Sequence, residues 1–233
     1  MDTIISKIDS HLIFYGDSKF KKSCKRLKKE AVNTGWFKTI TRYNGSDIST
    51  QFCQNFSNIL TQHRGGGYWI WKWDIILQHL EKIPEGDMLI YLDSGCSINK
   101  RGYTRFREYI SIVKRSSTKI LSFQMPHIEK EWNTKEVLNF CKSKYNLDDT
   151  TIENVKNTGQ YVGGILVMEN NPLTKQIFRD CISMIQNDNK LVTDYYNNTQ
   201  HEYFRDHRHD QSILSVVRKI LGSEVIPNDE TYF

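Results

Sequence analysis

Apolar residues fall in short blocks whose spacing switches between strand and helix periods. His11-Leu12-Ile13-Phe14-Tyr15 is a compact apolar run ended by Gly16-Asp17, which predicts a strand closing in a turn. Ser18 is placed to cap a helix from Lys19 to about Val32, and Asn33-Thr34-Gly35 to stop it. Trp36 to Tyr43 predicts a second strand, with Asn44-Gly45 as its turn. This β-α-β opening implies parallel strands in a sheet covered on both faces. Ser49 to Gln62 predicts a helix, broken by Arg64-Gly65-Gly66-Gly67. A further helix over Tyr68 to Lys82 has Trp69, Trp73, Ile76, Leu77 and Leu80 at helical spacing. Pro84 to Asp87 is a turn. Met88-Leu89-Ile90-Tyr91-Leu92, apolar at every position, suits the middle of a parallel sheet. Beyond it the pattern predicts helices over Thr104 to Lys114, Thr134 to Lys144, Pro172 to about Ile185 and Asp210 to Leu221. It predicts strands over Lys119 to Phe123, Tyr161 to Met168 and Ser223 to Ile226.

The chain has 233 residues, enough for one large α/β domain or two small ones. Only four prolines and no low-complexity linker favour a single domain over residues 1–233. Hydrophobic residues make up 38% and aromatics 12%, which argues for a real core. The net charge is +5. Part of it comes from Lys19, Lys21, Lys22, Lys25, Arg26, Lys28 and Lys29, the pattern of a solvated helix face or of a patch for an anionic surface or nucleic acid. Acidic residues offset this elsewhere, so charge alone predicts no nucleic-acid partner. Five cysteines without CxxC spacing predict neither a zinc site nor a disulfide framework. Free thiols suit a reducing compartment and predict a cytoplasmic location. Asp2, Lys7 and Asp9 interrupt the N-terminal ten residues, which do not read as a signal peptide. No apolar run approaches the roughly 20 residues of a membrane span, so no integral span is expected.

Four clusters carry candidate chemistry. Asp93-Ser94-Gly95 follows the central strand, where open α/β sheets bind ligands. A carboxylate there suits a metal or a ribose hydroxyl, although Asp-Ser-Gly is also ordinary turn chemistry. Arg64-Gly65-Gly66-Gly67-Tyr68-Trp69-Ile70-Trp71-Lys72-Trp73 combines a free backbone, a helix N-terminus, two cations and stacking aromatics. It reads equally as an anion site or as a loop before a core helix. His207-Arg208-His209-Asp210-Gln211 opens the last helix. Asp210 reads as its N-cap, and with the histidines as a metal or proton site. Gln160-Tyr161-Val162-Gly163-Gly164 suggests either a packing bulge or close approach by a ligand.

Together and in this order, "IFYGD", "GYWIWKWDIILQHL", "GDMLIYLDSG", "YVGGILV" and "HRHDQSIL" resemble the GT-A glycosyltransferases. The resemblance spans roughly Leu12 to Leu221. It is similar to the small enzymes of bacterial polysaccharide loci and large DNA viruses. It implies a mixed, mostly parallel sheet flanked by helices, a nucleoside-diphosphate-sugar donor and a glycan or glycoprotein acceptor. It also implies a cytoplasmic enzyme, peripheral to a membrane where the acceptor is presented there. Donor contacts are expected from Tyr15, Arg64, Tyr68, Lys72, Asp93, Ser94 and Gly95. Sugar and acceptor contacts are expected from Gly163, Gly164 and His207, with Asp210 as the catalytic base if the reaction inverts and as a group that orients the sugar if it retains. Asp93 matches the first acidic residue of the family's DxD motif, but Gly95 stands where the second, metal-binding aspartate belongs. Mn²⁺ or Mg²⁺ therefore needs His209 or His207 to complete a site with Asp93, or else cations such as Lys72 and Arg64 do the metal's work. The competing expectations are a nucleotidyltransferase, which calls for a glycine-rich basic loop after the first strand, and a non-catalytic module for anionic polymers.

Overall fold

The computed structural model describes residues 9–231. The reading of the N-terminus as no signal peptide therefore falls largely outside the described residues. In chain order the elements begin with β1 (Ser10–Tyr15), α1 (Lys21–Thr34), β2 (Thr39–Tyr43), α2 (Thr50–Asn55), α3 (Ser57–Leu60), α4 (Gly65–Tyr68), α5 (Trp71–Leu80) and β3 (Met88–Leu92). They continue with α6 (Tyr103–Arg115), β4 (Ile120–Ile128), α7 (Glu129–Trp132), α8 (Lys135–Lys144), α9 (Asp149–Lys156) and β5 (Gly159–Tyr161). The last are β6 (Ile165–Glu169), α10 (Pro172–Asn187), α11 (His209–Leu221) and β7 (Glu224–Ile226).

The seven strands form one sheet in the order β2-β1-β3-β6-β4-β5, with β7 beside β4. The pairs β1–β2, β1–β3 and β4–β7 are parallel, whereas β6 runs against both β3 and β4, and β5 against β4. Five strands thus share one direction, and β5 and β6 oppose it. Alternation along the strands sends side chains to two cores, as the pleat requires. Leu12, Phe14, Ile90 and Leu92 meet Cys24, Leu27 and Ala31 of α1 and Ile110 and Val113 of α6. Ile13, Leu89, Tyr91 and Leu166 meet Trp73 and Ile76 of α5, Phe178 of α10 and Ile213 of α11. The β3 strand is buried along its whole length, as its unbroken apolar run predicts. Among the described residues no helix is long and apolar enough to cross a membrane.

The lysine-rich segment is the solvated face of α1, opposite Cys24, Leu27 and Ala31. Several boundaries differ from the sequence reading, each for a local reason. Asp17, not Ser18, leads into α1: its Oδ1 accepts from the backbone N–H groups of Lys19 and Phe20 at 2.8 and 3.3 Å. Trp36 and Phe37 leave the β2 ladder to lie against Phe106 of α6. The helix expected over Ser49 to Gln62 breaks at Phe56 (φ −125°), which lets Phe52 and Phe56 both enter the core with rings 4.6 Å apart. The strand expected over Tyr161 to Met168 divides into β5 and β6 around Val162-Gly163-Gly164.

The most unusual local geometry is α4, a turn wound left-handed. Gly65, Gly66 and Gly67 have φ of 60°, 58° and 95°, and Tyr68 and Trp69 follow at 52° and 61°. Left-handed backbone costs a side-chain-bearing residue about 1–2 kcal/mol, so the glycines carry most of the turn. A Cβ on Gly67 would sit 2.7 Å from the Leu60 Cα and 3.0 Å from the Ile59 carbonyl oxygen. A Cβ on Gly95 would meet nothing within 4 Å. Gly67→Ala should therefore lower the unfolding free energy by about 2–4 kcal/mol, and Gly95→Ala should change it by less than about 0.5 kcal/mol. Denaturant titration of both variants checks this, and equal stabilities would contradict the account of the turn.

Candidate active site

Three elements deliver one charged cluster to the carboxyl edge of the parallel strands. Lys72 enters from the first turn of α5, Asp93 from the end of β3 and Asp210 from the first turn of α11. The Lys72 ammonium donates to Asp210 Oδ2 at 2.6 Å and to the Gly163 carbonyl at 3.1 Å, and lies 3.7 Å from Asp93 Oδ1. Lys72 is 2% exposed and Asp210 4%, so this charge pair is almost wholly removed from water. Tyr91, two residues before Asp93, donates its hydroxyl to Asp93 Oδ1 at 2.6 Å.

The glycines at the β5–β6 break explain how these groups come so close. The Asp93 amide donates to the Gly164 carbonyl at 2.8 Å, which adds a rung to the β3–β6 ladder. A Cβ on Gly164 would lie 2.7 Å from Asp93 Oδ2, and one on Gly163 would lie 2.8 Å from Gln211 Cβ. The close approach is by protein side chains. Gln211 accepts from the Gly163 amide at 2.8 Å and donates to Gln160 at 2.7 Å.

Burial pushes the Asp210 carboxyl up to about 6, against the opposing pull of Lys72. Burial acts to lower the Lys72 ammonium, but Asp210 and Asp93 together outweigh it and raise its pKa. Both groups are therefore charged at neutral pH. Burial, then Asp93, holds the Tyr91 hydroxyl well above its ordinary value, so it remains a donor to Asp93.

Two cavities meet at this cluster. One, of about 650 Å³, runs past Tyr15, Asp17, Trp71, Ser94 and Gly95. The other, of about 460 Å³, is bordered by Lys72, Trp132, Arg208, Asp210 and Gln211. Asp93 and Trp69 line both. Tyr15 stacks on Trp71 at 3.6 Å between ring centroids, which gives the first cavity a rigid aromatic wall. Its floor is fixed from behind by Arg26, which donates to the carbonyls of Ser94, Gly95 and Cys96 at 3.3, 3.1 and 2.9 Å.

No protein family and no curated protein matches the sequence. The structure does match solved ones. WbbM, a bifunctional glycosyltransferase, aligns over 96% of this chain and 39% of its own, with 8% identity and a TM-score of 0.50. The chain has a GT-A-like glycosyltransferase fold. The glycosyltransferase GlyE of Streptococcus pneumoniae TIGR4 aligns over 94% of this chain and 45% of its own, at 15% identity and a TM-score of 0.48. A glycosyltransferase involved in glycosylation of the major capsid of PBCV-1 aligns over 85% of this chain and 81% of its own, at 13% identity and a TM-score of 0.41. This chain spans less than half the length of WbbM and GlyE.

On this GT-A scaffold Tyr15, Asp93, Ser94 and Gly95 line the first cavity, and Lys72, Gly164 and Asp210 border the second. Other expected residues lie elsewhere or are engaged. Arg64 borders the second cavity, where Asp194 and Asp206 hold its guanidinium at 2.7 and 3.3 Å. Tyr68 turns to Asp194 and packs on His209, because its left-handed backbone swings it away from the first cavity. His207 is fully buried, with Nε2 2.9 Å from the Leu191 carbonyl. His209 has Nδ1 2.8 Å from the Val192 carbonyl, and the carboxylate its Nε2 approaches is Asp194, at 3.6 Å. Asp210 is not the helix cap: α11 begins one residue earlier, at a left-handed His209 (φ 51°), and the carboxylate pairs with Lys72 instead.

The residues present do not fit a divalent cation. The space between Asp93 and Asp210 is taken by the Lys72 ammonium. Gly95 offers no carboxylate, and His209 faces Asp194. Among the described residues, no three His, Cys, Asp or Glu side chains converge into an all-protein metal cage.

The sequence pattern singled out neither Tyr91 nor Arg26 for the site, and named Gln211 only as part of the cluster that opens α11. Tyr91 was recoverable: in a strand, residue i−2 shares a face with residue i, so it had to point the same way as Asp93. Nothing local marks Arg26, whose partners lie 68 to 70 residues away.

Burial above all pushes His207 down to about 3 and His79 down to about 4, against about 6.5 unfolded. Both stay neutral in the folded chain while the unfolded chain takes up protons. Their contribution is thus complete above about pH 6.5 and is lost as pH falls toward the folded values, by up to about 1.4 kcal/mol per pH unit for each. The melting temperature should drop steadily from pH 6.5 to 4.5, and His207→Gln should flatten part of that slope. An unchanged slope in the variant would contradict the burial argument.

Proposed function

We propose that the chain transfers a sugar from a nucleoside-diphosphate-sugar donor to a hydroxyl of a glycan acceptor. The observation that carries this reading is the Asp93–Lys72–Asp210 cluster: Asp93 lines both cavities, and Lys72 and Asp210 border the second beside it. The first cavity suits the donor: a nucleobase stacks against Tyr15, which Trp71 supports, and Asp93 accepts from a sugar or ribose hydroxyl. The second suits the acceptor, beside Asp210. The two substrates then meet at Asp93.

In this reaction the acceptor oxygen forms a bond to the anomeric carbon. The bond from that carbon to the diphosphate oxygen breaks and its electron pair leaves with the nucleotide. The transition state is oxocarbenium-like. Negative charge gathers on the leaving group, and a cation must meet it. Lys72, charged and 3.7 Å from the Asp93 carboxylate that both cavities share, supplies that charge in place of a metal ion. In an inverting reaction, Asp210 takes the acceptor proton; a carboxyl pushed up to about 6 is a stronger base than an ordinary aspartate and is still ionised at pH 7. In a retaining reaction Asp210 orients the sugar.

The nucleotidyltransferase alternative draws no support from the loop after β1. There the Asp17 carboxylate already accepts from the Lys19 and Phe20 amides that a phosphate would need.

Candidate nucleoside diphosphates should be screened by thermal shift, since a ligand of the folded state stabilises it by mass action. One nucleotide should raise the melting temperature equally with Mn²⁺ and with EDTA. The matching nucleotide sugar should be hydrolysed slowly, with no loss in EDTA. Lys72→Met and Asp93→Ala should each reduce that turnover at least a hundredfold. Absence of any nucleotide response rejects the transferase reading. Full dependence on added metal rejects the role given to Lys72.

A further inference from the structure

Arg208 is a half-buried cation without a carboxylate partner among the described residues. Its guanidinium carbon lies over the Trp132 ring, 3.9 Å from the ring centre, and its side-chain hydrogen-bond contact is the Met125 sulfur at 3.6 Å from Nη1. It stands where two cavities adjoin: the 460 Å³ cavity beside Asp210, and a second of about 740 Å³ lined by His127, Pro227 and Asn228.

The nearby acidic groups are already committed. Glu129 is fully buried and accepts from Ser215, Gln160 and Asn133, with Lys219 3.5 Å away. Asp206 accepts from Arg64 at 3.3 Å and from the His207 amide at 2.8 Å. Asp229, in the larger cavity, accepts from the Thr231 amide and hydroxyl at 2.9 and 2.5 Å. Burial disfavours the Arg208 charge, and Glu129 and Asp206 only partly offset this. A guanidinium offers five donors in a planar fork that fits a carboxylate or phosphate in two-point contact. Arg208 keeps that fork stacked on an indole with no oxygen partner. The ring beneath it already restrains the side chain, so less ordering remains to be done on binding.

We propose that Arg208 binds an anionic group, a carboxylate or a phosphate, carried by the acceptor on the side away from the reacting hydroxyl. This rests on the assignment of the Asp210 cavity to the acceptor. It narrows the substrate class: the acceptor is an acidic or phosphorylated glycan. Trp132 supplies an apolar wall for the sugar ring beside the charge, and its place under the guanidinium couples the two contacts.

Methyl glucoside, methyl glucuronide, glucose 6-phosphate and inorganic phosphate serve as probes, with binding followed by NMR titration without donor. The folded chain should bind the glucuronide or the sugar phosphate at least tenfold more tightly than the neutral glucoside. Whichever is preferred identifies the anion. Arg208→Ala should abolish the preference and Arg208→Lys should retain part of it, while the nucleotide-induced melting shift remains, showing that the variants are folded and the donor side is intact. The proposal is overturned if charged and neutral probes bind alike, if Arg208→Ala keeps the preference, or if inorganic phosphate binds as tightly as the sugar phosphate. A chain that binds charged sugars through Arg208 but no nucleotide would reject the transferase reading and leave the anion site standing.

Discussion

A single buried ammonium holds the centre of this protein together. Lys72 lies between Asp210 and Asp93 and also donates to the Gly163 carbonyl, so one side chain joins α5, α11, β3 and the β5–β6 break. Charges this far from water are tolerated only as a set. Removing one member of such a pair typically costs about 3–5 kcal/mol, because the other is left buried and alone. The same constraint gives the site its chemistry: a fixed positive charge, a carboxylate raised toward neutrality and an open carboxylate, all within one hydrogen-bonded group.

Both helices reach that centre through a backbone exception. Helix α5 is entered from the left-handed Gly65–Trp69 turn and α11 from the left-handed His209, while two glycines without side chains admit the close approach at the start of β6. The two exceptions support one another. Tyr68 and Trp69 both pack their rings on His209, at 4.7 and 5.8 Å. Two strained segments are thus packed against each other beside the reactive cluster. Strain of this kind persists only where surrounding contacts over-determine it, and here the contacts also define the wall between the cavities.

The layers of the fold were legible because the hydrophobic pattern is strong where it matters. The apolar run at Met88–Leu92 marked the buried central strand, and the β-α-β opening marked the parallel half of the sheet. The antiparallel course of β6 was not legible: an apolar strand reads the same in either direction, and only the path of the intervening chain decides it. At the site, the residues flagged as Asp93, Lys72, Gly163, Gly164 and Asp210 do converge. Both histidines line the second cavity, but they do not turn toward Asp93. Histidine beside aspartate has the chemistry of a metal site, but burial turned both rings toward the backbone carbonyls of Leu191 and Val192. Tyr68 failed for another reason, since no propensity rule anticipates an aromatic residue in left-handed backbone.

The shared wall between the two cavities has a further consequence for traffic. Under the proposed transfer, donor and acceptor would occupy different cavities that have only Asp93 and Trp69 in common, so neither would have to leave before the other could bind.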